Sequence, residues 1–259
     1  MSSHAEQYTL YQIGNAPLRE HPYPHILVRD VFAPELYRSI LDHLLPPELM
    51  RPIKEERKVA QTYPDERFVF TLDDAPIATL PAPYAAFWSE LTGWLRGMRF
   101  AATLFDKFAM HIARRFENLQ PTFYNEAMLV DDRTRYFLGP HSDTPAKVIT
   151  LLFYLPADDA RPHLGTSIYV PRDPAMRCEG GPSYPYDLFH RVLTMPYVPN
   201  TLFAFFKTDN SFHGVEPIAE SQNYRRHLLF YDVKCNLAAP VVTASEPVLG
   251  ARPSIEFTF

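Results

Sequence analysis

From residue 120 onward the chain is a succession of short β-type runs broken by turns, at 121–130, 134–140, 146–155, 166–171, 191–196, 201–206, 211–215, 225–234 and 255–259. Strands this short cannot bury their apolar faces singly, and their near-regular spacing predicts a sandwich or barrel. Composition agrees. The chain has 26 prolines against 9 glycines, which mark frequent reversals and strand edges, and 14% aromatic residues to pack between them. The segment 172–190, with Cys178 and Gly180-Gly181, interrupts the rhythm as a long loop that could serve as a lid.

The first half reads differently. Residues 1–24 are expected to be an extended lead-in, followed by a strand over 25–31. Pro34 opens a helix in which Leu36, Ile40, Leu41 and Leu44 share a face, and Pro46-Pro47 ends it. Residues 48–66 are polar and irregular, and 67–72 is strand-like. A second helix runs from Pro83 to about Met98, with a stripe of Tyr84, Phe87, Trp88, Leu91, Trp94 and Leu95 to pack on a sheet. A third covers roughly 101–114 and carries His111 as a surface or supporting residue. The expected class is α+β, mainly β, with helical support over roughly 25–116 and the β core over roughly 120–259 in one domain spanning 1–259.

Several function classes are disfavoured. The net charge is −5 without a basic block, which argues against nucleic acid or an anionic membrane as partner. Cys178 and Cys235 form neither a disulfide framework nor a Cys-x-x-Cys zinc pair. No signal peptide or membrane-length apolar run is visible, so a cytoplasmic monomer or homodimer acting on a small molecule is expected.

The chemistry-bearing pattern is His141-Ser-Asp143 within Tyr136-Phe-Leu-Gly-Pro-His-Ser-Asp-Thr144, followed far downstream by His213 within Ser211-Phe-His-Gly-Val215. Two histidines and one carboxylate in this order match the facial triad of non-heme Fe(II), which leaves other metal positions open. On an extended segment His141 and Asp143 point the same way. By itself a His-x-Asp pair is usually a surface turn. The ordered set is more specific, because His213 follows the apolar strand 201–206 and Arg225-Arg226 begins another. A buried guanidinium there would offer a fork to a carboxylate-bearing cosubstrate. Only one of the two arginines can face inward. With Arg225 inward, His227, Leu229 and Tyr231 follow it, and Leu228 and Phe230 meet the helices. With Arg226 inward, Leu228 and Phe230 form the inner row. Arg225 is the preferred choice.

Gly-Pro-His-Ser-Asp-Thr-Pro, Lys147-Val-Ile-Thr-Leu-Leu-Phe-Tyr-Leu-Pro156, Ser-Phe-His-Gly-Val-Glu-Pro and Arg-Arg-His-Leu-Leu-Phe-Tyr-Asp together resemble the Fe(II)/2-oxoglutarate-dependent dioxygenases, within them the prolyl-4-hydroxylase-like group. Pro22-Tyr-Pro-His-Ile-Leu-Val-Arg-Asp-Val-Phe is similar to the opening strand and helix of bacterial members, so the likeness runs from about residue 22. The resemblance implies a double-stranded β-helix, or jelly roll, with supporting helices. It implies iron ligation by His141, Asp143 and His213, and binding of 2-oxoglutarate by Arg225 (or Arg226) and Tyr154. Thr150 lies on the same face as Tyr154, where it either joins that site or lines the barrel. His227 stands where the family often has a small residue and is a further candidate for 2-oxoglutarate. The implied reaction couples decarboxylation of 2-oxoglutarate to succinate and CO₂ with oxidation of an unactivated C–H bond by O₂, usually hydroxylation, with ascorbate as a candidate reductant. Asp143 argues against halogenation. Arg172, Arg177, Tyr184 and Tyr186, and similarly Asn125 and Arg135, are candidate substrate contacts, although any one such residue is more often simply solvated, and Lys147 follows the motif closely enough to face the site mouth. The leading substrate is a small or amino-acid-like molecule. The alternatives are a peptidyl, prolyl-type hydroxylase and a non-catalytic cupin-like metal-binding module.

Overall fold

The computed structural model describes residues 3–57, 59–60, 62–181, 183–219 and 224–236. The expected strand at 255–259 lies outside them. Eleven strands are described, in two antiparallel sheets: β1 (His25–Arg29), β2 (Arg51–Pro52), β3 (Arg67–Thr71), β4 (Thr122–Arg133), β5 (Leu138–His141), β6 (Lys147–Tyr154), β7 (Ser167–Pro171), β8 (Phe189–Thr194), β9 (Thr201–Phe206), β10 (His213–Val215) and β11 (Arg225–Asn236). The large sheet runs β1-β9-β6-β11-β4-β3-β2, and the small one β5-β10-β7-β8. This is the jelly-roll core that the resemblance implies, and it agrees with the sandwich or barrel that the strand spacing predicts.

The central strands are apolar on both faces because they are covered on both. On one side, Leu151 and Phe153 of β6, Leu202 and Ala204 of β9, and Leu229, Tyr231 and Val233 of β11 pack on helices. On the other, Leu152, Tyr154, Phe203, Phe205 and Leu228 face the small sheet. The helices are α1 (Ser3–Asn15), α2 (Pro34–Asp42), α3 (Ile53–Glu56), α4 (Asp74–Ile77), α5 (Ala82–Leu95), α6 (Met98–Lys107) and α7 (Ala109–Arg115). Trp88, Leu91 and Leu95 of α5 are buried, as the stripe predicts.

Three local expectations need correction. Residues 48–66, read as irregular, contain β2 and α3. The stretch expected to be an extended lead-in contains α1, whose Ala5, Thr9 and Ile13 recur every four residues and are buried. Lys107 donates to the carbonyls of Gly14 and Ala16, both at 2.7 Å, and so satisfies the end of that helix from α6. The expected third helix is two, α6 and α7, with a bend at Phe108 (φ −109°, ψ 20°) that leaves its ring buried 6.2 Å from Phe206.

Phe153 is fully buried and stacks on Phe32 at 5.0 Å. Phe153→Ala should destabilise the fold by about 3–5 kcal/mol through lost transfer energy and a cavity, read as a lowered urea midpoint with unchanged slope.

Candidate metal and cosubstrate site

His213 on β10 pairs directly with His141 on β5, which brings the two imidazoles together with ring centroids 4.3 Å apart and planes tilted by 51°. Asp143 lies just past the end of β5, with Oδ1 4.0 Å from His213 Nε2. One ligand atom from each of the three lies within 4.8 Å of the others. A metal-sized gap is thus bounded by two nitrogens and an oxygen, which is the donor set of a facial triad.

The surroundings orient each donor. His141 Nδ1 lies 3.0 Å from the Gly139 carbonyl and His213 Nδ1 lies 3.0 Å from the Ser211 carbonyl. A carbonyl only accepts, so each Nδ1 carries the hydrogen and each Nε2 keeps its lone pair for a metal. Burial pushes both histidines below the usual range, His141 to about 3, which keeps them neutral. Burial would raise Asp143, but the Lys147 ammonium and the hydrogen bond from Thr150 hold the carboxyl well below the usual range. Thr150 donates to Asp143 Oδ2 at 2.8 Å. Lys147 Nζ bridges Asp143 (3.3 Å) and Asp232 (3.1 Å), and these two carboxylates, outweighing burial, raise its pKa.

The loops carrying the ligands are tied to each other. Lys207 Nζ donates to Ser142 Oγ at 2.8 Å, and Ser142 Oγ donates to the Thr208 carbonyl at 2.9 Å. Gly180 presses the 172–190 loop onto the motif. Its φ is +142°, and a Cβ there would lie 2.6 Å from the Asp143 carbonyl oxygen, so only glycine fits.

The triad opens on a cavity of about 720 Å³ between the sheets. Across it, on the large sheet, stands Arg226. Its guanidinium donates to Asp132 Oδ2 (2.7 Å), the Leu164 carbonyl and Thr166 Oγ1 (3.3 Å), and it lies over the rings of Tyr197 and Tyr154. Arg67 on β3 grips the same Asp132 with two bonds of 2.6 and 2.9 Å. All three charged groups are buried.

The preferred phase of β11 is therefore corrected. Arg225 faces the helices, paired with Asp131 on β4 at 2.9 Å, and His227 shares its side of the strand. Arg226, Phe230, Asp232 and Lys234 line the cavity. The physical reason lies farther along the strand. The row of Leu229, Tyr231, Val233 and Cys235 is wholly apolar and belongs against the helices, whereas the alternate row ends in Asp232 and Lys234. Reading the alternation to the end of the strand would have decided it.

The remaining candidates divide. Thr150 lines the cavity but spends its hydroxyl on Asp143. Tyr154 is on the inner face, and its hydroxyl accepts from the Thr166 amide at 3.0 Å, so it braces Arg226 rather than lining the cavity. Lys147 lines the cavity. Asn125 does not; it accepts from Arg96 on the helix side. Arg135 is exposed, near Glu66. Arg172 is held outside by the Asp187 carbonyl, and Arg177 lies 3.7 Å from Asp209. Tyr184 packs on Phe189 and Phe212, and Tyr186 donates to the Val215 carbonyl; the loop offers Gly181 and Ser183 to the cavity instead.

A scan against protein-family models finds no match, and no curated protein matches the sequence. Solved structures do match. A prolyl 4-hydroxylase from Phytophthora capsici is 13% identical with a TM-score of 0.50, over 91% of this chain and 67% of that one. A 2OG-Fe(II) oxygenase family oxidoreductase from Burkholderia pseudomallei is 14% identical with a TM-score of 0.47, over 92% and 94%. A prolyl-4-hydroxylase from Pseudomonas putida is 12% identical with a TM-score of 0.47, over 88% and 98%. The chain shares its fold with the Phytophthora capsici protein. At these identities the likeness is one of fold, and the chemistry rests on this chain's own residues.

Two measurements test this geometry. Thr150→Val should weaken Mn(II) binding by about 10- to 100-fold, as loss of a supporting hydrogen bond to a ligand does, in an anaerobic metal titration. Burial pushes His227 down to about 4. The unfolded chain, with a histidine near 6.5, binds more protons between those values, so the stability from neutral His227 is lost as pH falls from about 6.5 to about 4. His227→Gln should flatten urea midpoints across that window relative to the parent.

Proposed function

We propose that this protein is an Fe(II)- and 2-oxoglutarate-dependent oxygenase that hydroxylates, or otherwise oxidises, an unactivated C–H bond of a small or amino-acid-like molecule. The observation that carries the reading is a surplus buried cation facing the triad. Arg67 and Arg226 share the single carboxylate of Asp132, and all three are out of water. An uncompensated buried charge is costly. A carboxylate entering the cavity opposite the metal ligands supplies the missing anion, and 2-oxoglutarate carries one at each end.

His141, Asp143 and His213 would hold the iron, and their neutral imidazoles and ionised carboxylate suit Fe(II). Bound there, iron supplies the O₂ activation that couples decarboxylation of 2-oxoglutarate to substrate oxidation. The chain's residues orient and shield. Arg226 and the Thr166 hydroxyl take the distal carboxylate, and Tyr154 and Tyr197 hold the guanidinium in place. Leu152 and Phe230 line the space between the arginine and the triad and keep water from it.

The test is succinate formation from 2-oxoglutarate with Fe(II), ascorbate and air, with or without an oxidisable substrate. Replacing His141 or Asp143 should abolish it in a protein of unchanged circular dichroism; unchanged turnover would overturn the proposal. Arg226→Met should raise the 2-oxoglutarate requirement roughly 30- to 150-fold, the loss of a charge-assisted hydrogen bond of about 2–3 kcal/mol. Arg225→Lys, which keeps the Asp131 ion pair, should leave that requirement unchanged.

A further inference from the structure

The cavity holds a second cationic cluster that the cosubstrate does not explain. Arg57 Nη1, just past α3, and Lys234 Nζ, on β11, both donate to one oxygen of Glu126 on β4, each at 2.7 Å. Two cations thus share one carboxylate here too, and all three side chains line the cavity while remaining about three-quarters buried. Together these two cations outweigh burial and hold Glu126 below the usual carboxylate range, so it is charged and the surplus is one positive charge.

Position separates this cluster from the cosubstrate end. Alternate residues of β11 share a face, about 6.6–6.8 Å apart along the strand. The inner row runs Arg226, Leu228, Phe230, Asp232, Lys234. Asp232 lies at the level of the triad, because it pairs with Thr150, which holds Asp143, and bonds Lys147. Arg226 is toward one end of this level and Lys234 beyond it toward the other. The metal ligands therefore sit between two cationic loci. Near the second, Ile53, Val59 and Met128 add apolar wall.

We propose that Arg57 and Lys234 bind a carboxylate of the primary substrate, so that this protein oxidises a small carboxylic acid with an apolar body. One surplus charge matches a singly charged carboxylate better than a phosphate dianion. The carboxylate docks on the free hydrogens of the guanidinium and the ammonium. The apolar body lies along Ile53, Val59 and Met128, and a C–H bond a few atoms from the carboxylate comes to the triad. The inference rests on the oxygenase reading for the word substrate, but the binding site itself does not require it.

The experiment is calorimetric titration of the whole protein, with Mn(II) and 2-oxoglutarate under nitrogen and again without either. The probes are hexanoate, 3-phenylpropanoate and the hydrophobic α-amino acids, each paired with its primary amide, plus hexyl phosphate. Acids should bind, with amides at least tenfold weaker. Lys234→Gln should weaken the acids to the level of the amides, and Lys234→Arg should restore them. Glu126→Gln raises the surplus charge and should tighten the acids severalfold, which a purely structural role for the cluster would not produce. Binding of 2-oxoglutarate should be unchanged in all three variants. The proposal is overturned if no acid binds, if acids and amides bind alike, if the phosphate binds best, or if Lys234→Gln and Glu126→Gln leave the acids unaffected. Failure of 2-oxoglutarate to bind while the acids do would sink the oxygenase reading alone.

Discussion

Asp132 lies fully buried between Arg67 and Arg226, and with them it joins β3, β4 and β11 on the cavity side. Slipping any of these strands by one residue would carry a charge to the helix side and strand the other two without water or partner. The cluster therefore constrains the register of the large sheet more strongly than any apolar contact does, since one hydrophobic residue can replace another but no neighbour can replace Asp132. That register also determines the rest of the inner row. With Arg226 inward, Asp232 and Lys234 are inward, and Asp232 then meets the lysine that touches the metal carboxylate.

The cavity is accordingly organised along one strand direction. Buried positive surplus lies at one end, the three candidate metal ligands at the middle, and a positive surplus about three-quarters buried at the other. The small sheet supplies the histidines and the large sheet supplies the charges. The two sets meet only because β6 follows Asp143 closely and pairs with β11, so that Thr150 and Lys147 reach back to that carboxylate. Helices on the far face of the large sheet make no chemistry. They bury the apolar row of β11 and thereby decide which side of that strand is left to the cavity.

Much of this was readable from the residues. The order His-x-Asp then His, the apolar strand before His213, and the paired arginines named the donor set and the strand that carries the counter-charge. The amphipathic stripe of α5 and the β rhythm after residue 120 were equally plain. The stretch containing α1 was read as extended because Ile13 is the one large apolar residue among its buried positions, the others being Ala5 and Thr9, which leaves little periodic signal. Choosing between Arg225 and Arg226 failed at the sequence level because Leu229 in one row and Leu228 and Phe230 in the other could each face a core. The distinguishing charges, Asp232 and Lys234, come late in the strand.

The residues by themselves determined the types and order of the candidate metal ligands, since those depend on donor chemistry and on the two-residue alternation of a strand. They also predicted a sandwich or barrel for the second half, where two antiparallel sheets are found. Only the tertiary structure decided which arginine faces the metal site, and only it assembled Arg67 with Asp132 and Arg57 with Glu126 and Lys234. These partners come from strands and a loop far apart in the chain, and their charges acquire meaning only when strand pairing removes them from water together.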